Sequence, residues 1–375
     1  MKTKRLSAFL LALIMCFTLA SCLDDTADNN SSETASTEQS TESVEQSTES
    51  TDQSAESTDQ STESADQSTE SADQSTESTD QSTESGDGSE NTAPKPLLYR
   101  VTDKKGNTAW LFGSIHTGRE DFYPLPDYVT NAFNGADSLA VEFNIIAFEN
   151  DLSLQIKAMT ELVYKDGSTI KDHIPKDLYD KAVAILKGKN SYAAALDMYC
   201  PAFWSSMIES LMLADSDYDV SSGIDRYLIE KASEAEKEIL DIESAEFQYR
   251  MMAGFEDDIQ RLMLESAVLS YALPYVAFAD LETLMDLWAS GDESAFAEYL
   301  TVDDDTMTAE EKQIYARYNK AMMTDRNIGM ADFAENALTS GKEVFICVGA
   351  AHIVGDGSVS DLLSERGYTV ELITK

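Results

Sequence analysis

Ala109-Trp-Leu-Phe-Gly-Ser-Ile-His116 and Val344-Phe-Ile-Cys-Val-Gly-Ala-Ala-His352 share one arrangement, an apolar run followed by Gly-x-x-His. Each run, rich in aromatic and β-branched residues, reads as a buried strand. Gly113 and Gly349 read as structural glycines that permit backbone angles or close approaches other residues resist. The chain then turns with His116 or His352 at its tip. Functional groups of open α/β sheets collect beyond the carboxyl ends of strands, so two such strands side by side would set the histidines facing across a cleft. Only three histidines occur in the chain, and two stand in this setting. A lone histidine after a strand is usually a hydrogen-bonded turn residue. The duplication in a histidine-poor chain favours function, as ligands of a divalent metal or as a general base.

Outward from these strands, Leu97-Leu-Tyr-Arg-Val101 alternates as a strand, and Asp103-Lys-Lys-Gly106-Asn107 is a turn that makes a hairpin with the first histidine strand. A short helix with Tyr128, Val129, Ala132 and Phe133 on one face follows, ended by Gly135. Asp137-Ser-Leu-Ala-Val-Glu142-Phe-Asn144 reads as a third strand with a carboxylate at its end. Glu142 is a metal ligand, a general acid or base, or a solvated strand-end residue; spacing alone does not choose. From about 151 to 323 helical patterns dominate, with apolar stripes such as Phe203, Met207, Leu211 and Met212 that read as packing faces, and Pro175 near the first turn of a helix.

Within this stretch His173, before a proline and with no matching motif elsewhere, reads as a loop residue, Asp225 as a first-turn acid favoured by the helix dipole, and Glu238-Ile-Leu-Asp-Ile-Glu243 as a short strand, again with a terminal carboxylate. Asp303-Asp-Asp305 lacks the alternating ligands of an EF-hand loop and reads as a solvated turn. Thr324-Asp325-Arg326-Asn327 begins a helix closed by Gly341, and the chain ends on a helix at Ser360–Arg366 and a strand at Tyr368–Ile373. A hairpin at the start and βα alternation at the end predict an α/β (α+β) fold: a mixed β-sheet flanked by helices, with a large helical insertion at about 151–323.

The net charge of −42 is unevenly spread. Residues 24–92 carry 20 of the 69 acidic residues and no Lys or Arg, which leaves 49 acidic against 24 basic residues in 93–375. Nucleic-acid and anionic-lipid binding rest on clustered Lys and Arg, so the charge argues against both. Residues 1–22 read as a lipoprotein signal peptide: Lys2, Lys4 and Arg5, an apolar run from Leu6 to Ala20 too short to span a membrane, then Leu19-Ala-Ser-Cys22 in the manner of a lipobox. Lipidated Cys22 would become the first mature residue, anchoring the chain to a bacterial membrane, facing outward, with the lipid as its only membrane contact.

Residues 23–93 read as a disordered acidic tether. Its seven-residue unit, as in Ser61-Thr-Glu-Ser-Ala-Asp-Gln67, has no large aliphatic residue for a coiled-coil seam, and its Ser/Thr/Glu/Gln richness favours an extended chain. A flexible coil of that length averages roughly 45–50 Å end to end before charge repulsion extends it. The remaining cysteines, Cys200 and Cys347, read as buried small hydrophobes, and no Cys-based metal site is indicated. The folded domain is expected over 94–375.

Together, Gly113-x-x-His116 with Phe122-Tyr-Pro-Leu-Pro126, Val141-Glu142, Gly223-Ile-Asp225, Asp325-Arg-Asn327-x-x-Met330 and Gly349-x-x-His352 resemble the TraB/GumN family, which is related to the Tiki proteases. The resemblance runs from Leu97 to Ile373. It implies a metal-dependent hydrolase-like fold in which the two Gly-x-x-His motifs and the glutamate make the site, with manganese or cobalt suggested by Tiki peptidases and zinc also compatible. On that resemblance His116 and His352 are metal ligands, or one ligand and one base. Glu142 is a ligand or general base. Arg326 stabilises developing negative charge or holds a substrate carboxylate, a structural salt bridge explaining it equally well; Asn327 orients a ligand or binds substrate, and Glu243 is a lesser candidate. Two functions follow: a metal-dependent hydrolase acting on a peptide or protein substrate, or a non-catalytic surface protein that binds or sequesters a peptide or signalling molecule.

Overall fold

The computed structural model describes residues 93–375 except 217, 219 and 303–306. The leader with Cys22, the tether and the Asp303-Asp-Asp305 turn lie outside the described residues. Six strands, β1 (Leu98–Thr102), β2 (Thr108–Ser114), β3 (Ser138–Val141), β4 (Glu238–Asp241), β5 (Val344–Gly349) and β6 (Thr369–Ile373), form one sheet in the order β4-β3-β5-β2-β1-β6. β4, β3, β5 and β2 are parallel, while β1 is antiparallel to both β2 and β6. The expected mixed sheet flanked by helices is what forms.

Local chemistry explains the elements. The Asp103 carboxylate accepts the amides of Lys105 at 2.8 Å and Asn107 at 2.9 Å, closing the β1–β2 turn. β3 and β5 are buried along their whole length, as central parallel strands are, and apart from Ser138 and Gly349 their residues are apolar. Phe345 of β5 packs against Phe112 of β2 at 5.5 Å and edge-on against Phe133 at 5.6 Å. Between β3 and β5, β4 is the one sheet strand among the described residues; the rest is mainly helical. The helix Pro201–Ala214 packs on Asp257–Ala272 and buries Phe203, Met207 and Met212, with Leu211 only partly covered. Cys200 and Cys347 are free and buried, and burial pushes the Cys200 thiol up to about 11.

Two local readings are corrected. Thr324 does not start a helix. The helix Ala309–Asn319 continues through a π-helical turn, Lys320–Thr324, into Asp325–Ser340, because Thr324 has helical backbone angles and makes no capping bond. His173 is not in a loop but closes a one-turn helix, Ile170–His173. Its ring stacks on Tyr164 at 4.2 Å, its Nδ1 lies 2.9 Å from Asp257 Oδ1 and its Nε2 lies 2.9 Å from Ser168 Oγ.

The register sets the site. Ser114 pairs with Gly349 and Val141 with both Cys347 and Asp241, so four parallel strands end along one edge of the sheet. The residues that follow those ends are the two histidines and the two glutamates singled out from the sequence.

Candidate active site

The site begins with a backbone fit between the two histidine strands. A Cβ on Gly113 would come within 2.6 Å of Ile353 Cδ1 and 2.9 Å of Ala350 Cα, so the turn carrying His352 lies directly on Gly113. The Trp288 indole donates to the Gly113 carbonyl at 2.8 Å and fixes it from behind. Gly349 contributes differently. Its φ of −51° needs no glycine, but its amide donates to Glu142 Oε1 at 2.9 Å.

Glu142 and Glu243 are brought together by a ladder that runs past the strand ends, with the Ile242 amide on Val141 O and the Glu243 amide on Glu142 O at 2.8 Å. Two carboxylates at adjacent register would repel, and Arg326 resolves this. Its Nε and Nη2 donate to Glu243 Oε1 and Oε2, each at 2.9 Å, and Nη2 also donates to Glu142 Oε2. Gln248, from the first turn of the helix Ala245–Ala253, donates from Nε2 to Glu142 at 3.1 Å and to Glu243 at 2.8 Å. The π-helical turn just before Arg326 places Met322 O 3.4 Å from its Nη1; such wide turns recur at functional sites. Burial alone would raise the Glu142 carboxyl, but Arg326 first, then His352, His116 and the Gly349 amide, hold it well below the usual carboxylate range. Two glutamates against one arginine leave the buried cluster one formal negative charge in excess.

The tautomer of His352 follows from its neighbours. Gly357 O can only accept, so the Asn327 amide nitrogen faces it at 2.9 Å and Asn327 Oδ1 faces His352 Nδ1 at 2.6 Å. The ring proton is therefore on Nδ1, and a bare Nε2 stands 3.9 Å from Glu142 Oε1. Burial, then the Arg326 cation, push His352 down to about 3 against the pull of Glu142, so the ring is neutral throughout the physiological range.

His116 has another environment. The Ile224 amide donates to Ile115 O at 2.9 Å, Tyr123 OH donates to Ser222 O at 2.7 Å, and a Cβ on Gly223 would stand 2.6 Å from His116 O. This backbone contact delivers Asp225 to His116, with Oδ2 3.0 Å from Nδ1. Burial alone would lower the His116 pKa, but the Asp225 carboxylate, with a lesser push from Glu142, raises it to about 9. His116 Nε2 and Asp225 Oδ1 are buried atoms without a hydrogen-bond partner.

The structure thus gathers Glu142, Glu243, Arg326, Asn327 and His352 in one hydrogen-bonded cluster, with His116 close enough to influence the charges of Glu142 and His352. Asp225 and Gln248 were missed as site residues. Asp225 lay in a quoted motif but was explained by the helix dipole; Gln248 carried no signal beyond its place five residues after Glu243. His116, Glu142 and His352, the expected metal set, do not stand together as one ligand group in this structure. Among the described residues no three His, Cys, Asp or Glu side chains stand close enough to hold an ion, because Glu142 is drawn to Arg326, Gln248 and the Gly349 amide while His116 is drawn to Asp225. The pair His352 Nε2 and Glu142 Oε1 does fit a cation by its chemistry: two lone-pair atoms face one another in a cluster of excess negative charge, and the other ring nitrogen is held by an oxygen acceptor, as in metal-bound histidines.

The sequence profile of the TraB/PrgY/gumN family matches residues 97–372. The chain belongs to this family. Among curated relatives of this TraB/PrgY/gumN protein, it is 24% identical over 314 residues to metalloprotease TIKI2 of Xenopus tropicalis, covering 72% of this chain and 58% of the relative. It is 24% identical over 315 residues to metalloprotease TIKI1 of Homo sapiens, covering 72% and 61%. It is 22% identical over 256 residues to the uncharacterized protein YbaP of Escherichia coli K12, covering 68% and 86%. The chain therefore spans about three fifths of the length of the two metalloproteases. No solved structure matches it with significance.

Proposed function

We propose that this family member is a divalent-metal-dependent hydrolase that cleaves peptide bonds. The observation that carries the reading is the bare, neutral His352 Nε2 facing Glu142 Oε1 at 3.9 Å inside a buried cluster of excess negative charge, at the carboxyl edge of parallel strands. These two atoms would hold the ion; imidazole and carboxylate donors suit manganese, cobalt or zinc. The bound ion would polarise the scissile carbonyl and acidify water. The family relation to metalloproteases supports the peptide as substrate class.

The chain's own residues have separable tasks. Glu142, tied on both oxygens by Arg326, Gln248 and the Gly349 amide, is held ionised and immobile, which suits a ligand and not a general base that must turn to take a proton. Arg326 offsets one of the two glutamate charges and sets Glu142 in place. Asn327 fixes the His352 ring. The leader at 1–22 and the acidic tether support a location outside the membrane, anchored through lipidated Cys22. The test is manganese uptake by the full chain in equilibrium dialysis, with His352→Ala as the control. Uptake near one ion per chain that is lost in the variant is expected; no uptake by the unaltered chain refutes the reading.

A further inference from the structure

The two Gly-x-x-His histidines are alike in sequence and unlike in surroundings. His352 is closed in, its side chain 5% exposed, and its Nδ1 is held by a neutral amide oxygen. His116 is 14% exposed and its Nδ1 is held by a carboxylate. Among the described residues His352 stands within ion-pair reach of Glu142, whereas the ion pair of His116 is with Asp225. His116 Nε2 is buried with nothing bonded to it, and an unsatisfied buried nitrogen next to a reaction site calls for a ligand or a proton to exchange.

We propose that His116 and Asp225 form a proton-transfer dyad, with His352 and Glu142 alone holding the ion. The inference rests on the hydrolase reading above and assigns the motif's two histidines to different work. A histidine oriented through Nδ1 by a carboxylate, with Nε2 directed at the substrate, is the base-and-orienter arrangement that recurs across unrelated hydrolases. In the cleavage step, Nε2–H gives its proton to the leaving nitrogen as the carbon–nitrogen bond breaks. A water oxygen bonds to the carbonyl carbon, and a proton released from that water returns to Nε2. One water is consumed, one amide becomes a carboxylic acid and an amine, and His116 ends as it began. His116 is the catalytic residue. Asp225 is a positioning residue, placed by the contact of Gly223 and Ile224 with the Ile115–His116 backbone.

The test uses the full chain with manganese chloride, reading ion stoichiometry by equilibrium dialysis and cleavage of a mixed peptide library by mass spectrometry. His116→Ala and Asp225→Asn are expected to retain the ion, while His352→Ala loses it. Cleavage falls by about 10²–10⁴-fold in both ion-retaining variants, the range for losing a proton-transfer group. In Asp225→Asn the loss is in kcat at unchanged KM, and Asp225→Glu recovers part of it, which a merely structural role would not produce. If His116→Ala loses the ion as His352→Ala does, His116 is a ligand and the dyad is overturned while the metal reading stands. Wild-type cleavage by His116→Ala overturns it too. If the unaltered chain takes up no manganese, the hydrolase reading and the dyad fall together.

Discussion

Replacing Arg326 with Met removes the cation that, among the described residues, pairs with both Glu142 and Glu243 in the buried cluster. Arg326 is 3% exposed, and it donates to both carboxylates, whose backbones are joined by the Glu243-to-Glu142 amide bond. Met fills most of the same volume, so packing changes little and the loss is electrostatic. Removing one partner of a buried ion pair costs about 3–5 kcal/mol, because the charge left behind is neither solvated nor matched. The pH dependence tests the cause. In the unaltered chain the Glu142 pKa is held below its unfolded value, so the stability it contributes is present above the unfolded value and lost as pH falls toward the folded one. Without Arg326, burial dominates and lifts the folded value above the unfolded one. The variant therefore gains stability from this group as pH falls, and its deficit narrows from pH 7 to pH 5. Urea unfolding followed by the fluorescence of Trp110, Trp204 and Trp288 measures both. A loss under about 1 kcal/mol at pH 7, or a deficit that widens on acidification, refutes the electrostatic account of this cluster.

Further outcomes are expected elsewhere. Asn327→Leu removes the acceptor for His352 Nδ1 and the bond to Gly357 O, and should weaken manganese binding by about 10–100-fold in dialysis while the far-ultraviolet circular dichroism is unchanged. Gly113→Ala forces a methyl group into Ile353 and the Ala350 backbone, costing about 1–3 kcal/mol in urea unfolding and displacing the turn that carries His352. Glu209, buried in the helix Pro201–Ala214 with Oε1 unpartnered, has its carboxyl pushed well above the usual range by burial. Its folded pKa lies above the unfolded value, so its contribution is present below the unfolded value and lost as pH rises through the folded one. Glu209→Gln should then be more stable than the unaltered chain at pH 8 by about 1–2 kcal/mol and gain nothing at pH 4.

The fold was legible wherever one periodicity dominated. The apolar runs before His116 and His352 announced buried strands, and the Asp103–Asn107 turn announced a hairpin. The helix containing Arg326 was misplaced at its start because a π-helical turn leaves no capping residue for the eye to find. The site was legible as residue types at strand ends and illegible as partnerships. No spacing rule says that Asp225, 109 residues after His116, binds its ring, or that Gln248 bridges two glutamates from separate strands. Those pairings come from long-range packing, the Gly223 contact with His116 above all, which a one-dimensional pattern does not contain.

The most direct test of the central claim is peptide-library cleavage by the full chain, stripped with a chelator and then supplied with manganese, cobalt or zinc. The account predicts no cleavage after stripping, its return with one of these ions, and no return in Glu142→Gln. Cleavage that persists undiminished in the chelator, or an absence of cleavage with every ion despite metal uptake, contradicts it.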